Sequence, residues 1–266
     1  MILGVPFGGG GLGKTVGAAK AAAQILERVR RYVSEHGVLV SPRCELMEID
    51  AGNIADSFES IFRRVGALET GSVIVGGDHS ITHAALRAFV KKYPGAGVVV
   101  FDAHLDMMQP FSVPTHENFL RQAIHDGIVR KDRVVVVGHR VSDPEEEGFV
   151  RRENIITYPM REIAQEGMQA TCDAVMAAVR EWPHAYLSID IDVLDPAFAP
   201  GTGYAETGGM STRELLYFVQ RLLLLRNIRM ADVVEVNPDH DVRGMTVSAA
   251  AKIVLELYSS LNKGNI

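Results

Sequence analysis

Short, wholly apolar runs rich in β-branched residues recur along this chain, and several lead within a few residues into an acid or a histidine. Val98-Val99-Val100-Phe101 is the sharpest of them, apolar at four successive positions. That pattern belongs to a strand whose two faces are both covered. Strands are expected at Met1–Phe7, Cys44–Asp50, Ser72–Gly76, Gly97–Asp102, Arg133–Gly138, Asn154–Thr157, Ala185–Asp190 and Arg229–Val236. Amphipathic stretches between them predict helices at about Val16–Glu35, Asp56–Glu69, Ile81–Lys92, Glu117–Gly127, Gln169–Trp182, Thr212–Leu225 and Met245–Leu261. Repeated β-then-α order implies right-handed crossovers and a largely parallel sheet of the α/β class. No repeat, low-complexity tract or linker interrupts the pattern, so residues 1–266 read as one domain.

In such a sheet, ligands bind beyond the carboxyl ends of the strands. The unusual polar residues fall there. Ser72–Gly76 runs into Gly77-Asp78-His79-Ser80, Gly97–Phe101 into Asp102-Ala103-His104-Leu105-Asp106, Ala185–Ile189 into Asp190-Ile191-Asp192, and Arg229–Val234 into Glu235. Spacing by two in extended chain points side chains the same way. Two strand ends can therefore aim Asp102, His104, Asp106, Asp190 and Asp192 into one volume, with His79 from a neighbouring strand as a sixth ligand. Four carboxylates cannot stay ionised together without counter-charge. Two divalent cations would supply it. An oxygen-rich donor set with one imidazole per ion suits Mn²⁺ better than a Cys-rich or three-His zinc site. Asp78 and Ser80, by contrast, read as helix caps.

The net charge of -6 gives no reason to expect nucleic acid or an anionic membrane as partner, and no apolar run approaches bilayer length. Cys44 and Cys172 are the only cysteines, lie far apart and read as small hydrophobes. A reducing cytoplasm is the expected compartment. One motif points elsewhere. Gly8-Gly9-Gly10-Gly11-Leu12-Gly13-Lys14-Thr15 satisfies the G-x-x-x-x-G-K-[ST] pattern of a phosphate-binding loop, between a strand and a helix. Nucleotide binding would leave His104, Asp106, Asp190, Asp192 and Glu235 unexplained. A non-catalytic metal-binding paralogue is a second alternative.

The segments Gly76-Gly77-Asp78-His79-Ser80, Asp102-Ala103-His104-Leu105-Asp106, Ser188-Ile189-Asp190-Ile191-Asp192-Val193-Leu194-Asp195-Pro196 and Glu235-Val236-Asn237-Pro238 resemble those of the ureohydrolases, the arginase and agmatinase family. Ala199-Pro200-Gly201-Thr202-Gly203 and Gly208-Gly209-Met210-Ser211 extend the resemblance, in the family's order, over most of the chain. It implies an eight-stranded, mainly parallel sheet in an α/β/α sandwich, and a trimer or hexamer. It implies two Mn²⁺ per subunit, one held by His79 and Asp106, the other by His104 and Asp192, with Asp102 and Asp190 bridging. Asp106 would also orient the attacking water, Glu235 would pair with the guanidinium, and His116 would serve the leaving amine. The Gly-rich stretch after Gly4-Val5-Pro6-Phe7 stands where the family keeps a substrate-side loop.

The substrate is then a small guanidino compound, hydrolysed to urea and an amine. The stretch Met107–Thr115 lacks the Ser/Asn-bearing loop with which arginases hold an α-amino acid. Agmatine, yielding putrescine, is therefore the first expectation. In Gly138-His139-Arg140-Val141-Ser142-Asp143-Pro144 the retained Asp143 could contact a distant amine, and Asn118, next to His116, is a further candidate for touching substrate. Departures from the agmatinase pattern at Glu117-Asn118-Phe119 and at Tyr204-Ala205 lie where the far end of the substrate should sit. Aminopropyl-agmatine, guanidinobutyrate and L-arginine remain alternatives.

Overall fold

The computed structural model describes residues 1–31, 34–35, 41–50 and 52–263. Eight parallel strands form one sheet: β1 (Ile2–Gly4), β2 (Cys44–Leu46), β3 (Val73–Val75), β4 (Gly97–Phe101), β5 (Val134–Val137), β6 (Ile156–Tyr158), β7 (Ala185–Asp190) and β8 (Ile228–Val234). Nine α-helices are described: α1 (Ala21–Val29), α2 (Ile54–Gly66), α3 (Ile81–Lys92), α4 (Phe119–His125), α5 (Pro144–Glu153), α6 (Met160–Glu166), α7 (Met168–Arg180), α8 (Thr212–Leu222) and α9 (Met245–Leu261).

Period two along each strand divides the core. Val99, Phe101, Val135, Val137 and Leu187 join one apolar cluster with Ile25, Val175, Phe218 and Ile253 from α1, α7, α8 and α9. Val98, Val100, Val134, Val136 and Tyr186 join the other with Phe58, Phe89, Phe119 and Phe149 from α2, α3, α4 and α5. Helices on both faces of a parallel sheet make the expected α/β/α sandwich.

The strand order is β2-β1-β3-β8-β7-β4-β5-β6. The chain steps from β3 over a two-strand gap to β4, runs outward through β5 and β6, then returns to fill the gap with β7 and β8. Hence β3, β8, β7 and β4 are four consecutive neighbours. Their carboxyl ends carry His79, Asp102, His104, Asp106, Asp190, Asp192 and Glu235.

The differences from expectation have local causes. The first strand stops at Gly4, before Pro6, which has no N–H for a ladder. The predicted helix Val16–Glu35 is a 3₁₀ segment over Val16–Lys20 followed by α1, and part of its far end lies outside the described residues. Helices α5 and α6 were not expected. In α5, Pro-Glu-Glu-Glu-Gly-Phe-Val-Arg-Arg-Glu has too few apolar residues to show a helical stripe. A capping box between Asp143 and Glu146 with Pro144 at its start holds it instead. Among the described residues no helix is long and apolar enough to cross a membrane.

Candidate metal centre and active site

His79 lies in the turn between β3 and α3. The tight passage of that turn depends on Gly77, whose Cα sits against the Phe7 backbone where any side chain would collide. His79 is completely buried, and its Nδ1 lies 3.1 Å from Asp102 Oδ2, 3.0 Å from Asp106 Oδ2 and 3.1 Å from Asp190 Oδ2. Around the other half, His104 Nδ1 is 3.1 Å from Asp192 Oδ2 and 3.4 Å from Asp102 Oδ1. Two groupings able to hold an ion result, His79/Asp102/Asp190 and Asp102/His104/Asp192, and Asp102 belongs to both.

Backbone donors aim these carboxylates. Asp102 accepts from the His104 N–H at 2.7 Å, Asp190 from the Asp192 N–H at 2.8 Å, and Asp192 from the Ala103 N–H at 3.0 Å. Asp106 and Glu235 have φ of 52° and 62°, left-handed backbone that non-glycine residues seldom adopt. Strain of that kind collects at functional sites, where the surrounding fold enforces it.

The site's electrostatics call for cations. Burial, and next the charge of Asp102, push Asp106 up to about 8. Burial and then Asp192 raise Asp190 well above the ordinary carboxylate value. Burial alone would lower His79 and His104, but their carboxylate neighbours raise both. His79 Nδ1 and Asp102 Oδ2 are buried without a hydrogen-bond partner although their neighbours stand close by. Atoms that converge in this way, with excess negative charge around them, fit a donor set for divalent ions.

Beneath the centre is a network not anticipated from the sequence. His79 Nε2 lies 2.9 Å from Ser188 Oγ, which donates to Asp232 Oδ1 at 2.6 Å. Tyr186 and Thr82 donate to Asp232 Oδ2 at 2.8 and 2.7 Å. A partner on the far nitrogen fixes a ligand imidazole's tautomer and orientation. The available signal was an acid inside the apolar run Met230-Ala231-Asp232-Val233-Val234. Arg140 was equally unforeseen as a clamp: its guanidinium donates to the carbonyls of Asp192 and Glu206, both at 2.7 Å, and ties the β7 loop to β5.

Glu235 ends β8. Its Oε1 accepts from the His79 N–H at 2.7 Å and lies 3.4 Å from His116 Nδ1, while Oε2 is buried without a hydrogen-bond partner among the described residues. Both residues join the metal-centre side chains in lining a cavity of about 270 Å³. Lys14, Met108, Glu117, Val141, Asp143, Glu146, Tyr204 and Glu206 line it further out. Glu146, another residue not singled out, accepts from the Met107 N–H at 2.8 Å and the Asp143 N–H at 3.0 Å.

Asn118 does not line this cavity, contrary to expectation. It is fully buried; its side chain accepts from Thr115 N–H at 2.9 Å and donates to Gln109 O at 3.1 Å. Both ends of the amide are spent on holding the His116 loop. Asp78 and Ser80 are likewise outside the cavity lining: Asp78 accepts from Gly10 N–H at 2.8 Å and from the Ser80 hydroxyl. The local geometry departs from the phosphate-loop alternative. A 3₁₀ segment, not an α-helix, follows the loop directly, and Thr15 is fully buried. Lys14 reaches across the cavity mouth, 3.7 Å from Glu117 Oε1.

The comparisons agree with this geometry. The Arginase family model matches residues 1–259. A guanidinopropionase of Pseudomonas aeruginosa is 38% identical over 208 residues, 76% of this chain and 64% of the relative. An agmatinase of Photorhabdus laumondii is 33% identical over 218 residues, 80% of this chain and 67% of the relative. The crystal structure of formimidoylglutamase from Bacillus subtilis superposes with a TM-score of 0.90 at 26% identity, covering 97% of this chain and 85% of that one. The match to the guanidinopropionase thus spans somewhat less than two thirds of that protein's length. With its strand order, its paired His/Asp groupings and this family match over nearly its whole length, the chain belongs to the arginase family.

Proposed function

We propose that the chain is a two-metal hydrolase that cleaves a guanidino compound into urea and an amine, with agmatine as first substrate and putrescine as the amine released. One observation carries the reading. The overlapping groupings that share Asp102 lie beside Glu235, a buried carboxylate with a free oxygen in the wall of the same cavity. His79 and Asp106 would hold one manganese ion and His104 and Asp192 the other, with Asp102 and Asp190 available to both. Such ions supply the Lewis acidity that makes hydroxide available from water near neutral pH.

The protein's own groups do the rest. Asp106 accepts a hydrogen bond from the attacking water and sets its direction. Glu235 pairs with the planar guanidinium by a charge-assisted contact. Because its Oε1 is tied to the His79 N–H, the carboxylate is oriented before substrate enters. Water gives up one proton, its oxygen adds to the guanidinium carbon, and its second proton passes by way of Asp106 to the substituted nitrogen. The bond from carbon to that nitrogen then breaks, leaving urea, and the amine takes one more proton to depart as ammonium. His116 is the donor on hand. Burial alone would lower its pKa, but the contact with Glu235 raises it, which favours the proton-bearing imidazole.

The outer cavity favours a cationic tail. Glu117, Asp143 and Glu206 line it against the single ammonium of Lys14, and that balance attracts an amine. A carboxylate-tailed guanidine is the second reading, favoured by the likeness to a guanidinopropionase. Urea release from agmatine, guanidinobutyrate, guanidinopropionate, aminopropyl-agmatine and L-arginine, measured in parallel on manganese-loaded protein, ranks the candidates by kcat/KM. No urea from any of them overturns the proposal.

A further inference from the structure

Three loops from distant parts of the chain meet over the mouth of the cavity, and each contributes one side chain to a single contact group. Lys14 comes from the Gly-rich loop after β1, Glu117 from the loop before α4, and Tyr204 from the loop after β7. The Lys14 ammonium stands over the Tyr204 ring, 4.9 Å from its centroid, and 3.7 Å from Glu117 Oε1. The Tyr204 hydroxyl donates to that same oxygen at 2.9 Å. Behind it, the Tyr204 ring stacks on His116 at 5.8 Å between centroids and meets His104 edge-on at 5.3 Å. The ring is therefore a wall between the metal centre and the mouth. An aromatic face beside a carboxylate is a binding place for an ammonium ion, and here an ammonium of the chain's own stands in it.

From this we infer that the Tyr204 face and the Glu117 carboxylate form a distal ammonium subsite, which Lys14 fills in the free enzyme and yields to the ammonium tail of an entering substrate. The inference rests on the hydrolase reading above and adds what reads the tail. Lys14 is suited to leave. Its side chain is 56% exposed, and its partners are the Glu117 carboxylate and the ring and hydroxyl of Tyr204, contacts that are each weak at an exposed position. Leu12 and Gly13, just before it, have φ of 50° and 81°, so the lysine rides on an unusual turn of a glycine-rich loop. As a fixed receptor for a carboxylate tail Lys14 would be poorly sited. Glu117 already neutralises it, and Asp143 and Glu206 line the same outer cavity and would repel an anion.

A self-filled subsite lowers apparent affinity by the fraction of time it is occupied. Removing the competitor should therefore strengthen binding of cationic tails and no others. The test compares wild type, Lys14→Met and Glu117→Gln, loaded with manganese, on agmatine, neutral pentylguanidine and guanidinobutyrate. Relative to pentylguanidine, Lys14→Met should lower KM for agmatine about three- to ten-fold. It should bring no gain on guanidinobutyrate. Glu117→Gln should raise KM for agmatine about ten-fold on the same scale. An unchanged agmatine-to-pentylguanidine ratio in Lys14→Met overturns the inference. So does a selective loss on guanidinobutyrate, which would make Lys14 a carboxylate receptor. Urea from pentylguanidine reports on the hydrolase reading alone. Should none form, calorimetric titration of wild type and Lys14→Met with 1,5-diaminopentane still decides: tighter binding to the variant supports the subsite, and equal binding sinks it.

Discussion

Replacing Glu235 by glutamine changes one atom of the side chain and almost none of its volume, so its consequences can be worked out closely. Glu235 Oε1 accepts from the His79 N–H at 2.7 Å, which obliges the glutamine carbonyl to take that position. Its NH₂ then falls where Oε2 was, the buried oxygen with no hydrogen-bond partner among the described residues. A donor now meets the N–H groups of the guanidinium. One charge-assisted hydrogen bond is lost and a donor–donor contact replaces it, together costing about 3–4 kcal/mol. At about 1.4 kcal/mol per factor of ten, kcat/KM for urea release should fall by two to three orders of magnitude. Stability should hold, because the bond to His79 survives and one buried charge is gone. The assay is urea formation with saturating manganese, with a thermal melt as the folding control. A folded, metal-loaded Glu235→Gln protein that keeps more than a tenth of wild-type kcat/KM would refute the assignment of Glu235 as guanidinium partner.

Three further outcomes follow from the geometry. Arg140→Met removes the donors to the Asp192 and Glu206 carbonyls and should lower Tm by several degrees, for a cost of about 2–3 kcal/mol. It should also weaken manganese binding through Asp192, and an unchanged melt with unchanged metal affinity would discount the clamp. Chelation of manganese-loaded protein should lower Tm, since an ion at about a hundred times its Kd stabilises by about 2.7 kcal/mol and its removal restores repulsion among four buried acids; a melt indifferent to chelator contradicts this. Burial holds His83 below its ordinary pKa of 6.5 despite Asp126 at 3.1 Å. Below that pH the unfolded chain takes up the proton more readily, so stability falls as pH drops through 6.5. Asp126, held below its ordinary carboxylate value, loses its contribution only at still lower pH. Denaturant melts at about pH 7 and 5.5 should therefore show a smaller loss for His83→Gln than for wild type.

Much of this architecture was legible in one dimension because its signals are local. Gly97–Phe101 runs directly into Asp102 and Ala185–Asp190 ends in an acid, and a parallel sheet sends all such ends to one edge. Helices Ile81–Lys92 and Met245–Leu261 were expected at the bounds they have, their apolar faces being long and uninterrupted. What escaped reading depends on neighbours far away in sequence. Asp232 matters because β7 and α3 bring Ser188, Tyr186 and Thr82 to it. Asn118 lies two residues from His116, which the sequence shows; the use of its amide by Thr115 and Gln109 is visible only in the fold. Lys14 fitted a phosphate-loop pattern, and only the meeting of three loops reveals its contacts with Glu117 and Tyr204.

The central claim is that Asp102 is shared by two metal ions whose joint presence the reaction needs. Titrating metal-free protein with Mn²⁺, following binding by calorimetry and urea release from agmatine in the same samples, tests it most directly. The account predicts two ions per chain, activity that rises with occupancy of the second, and loss of both binding and urea in Asp102→Asn. One ion at saturation, or urea release that persists in chelator, would contradict it.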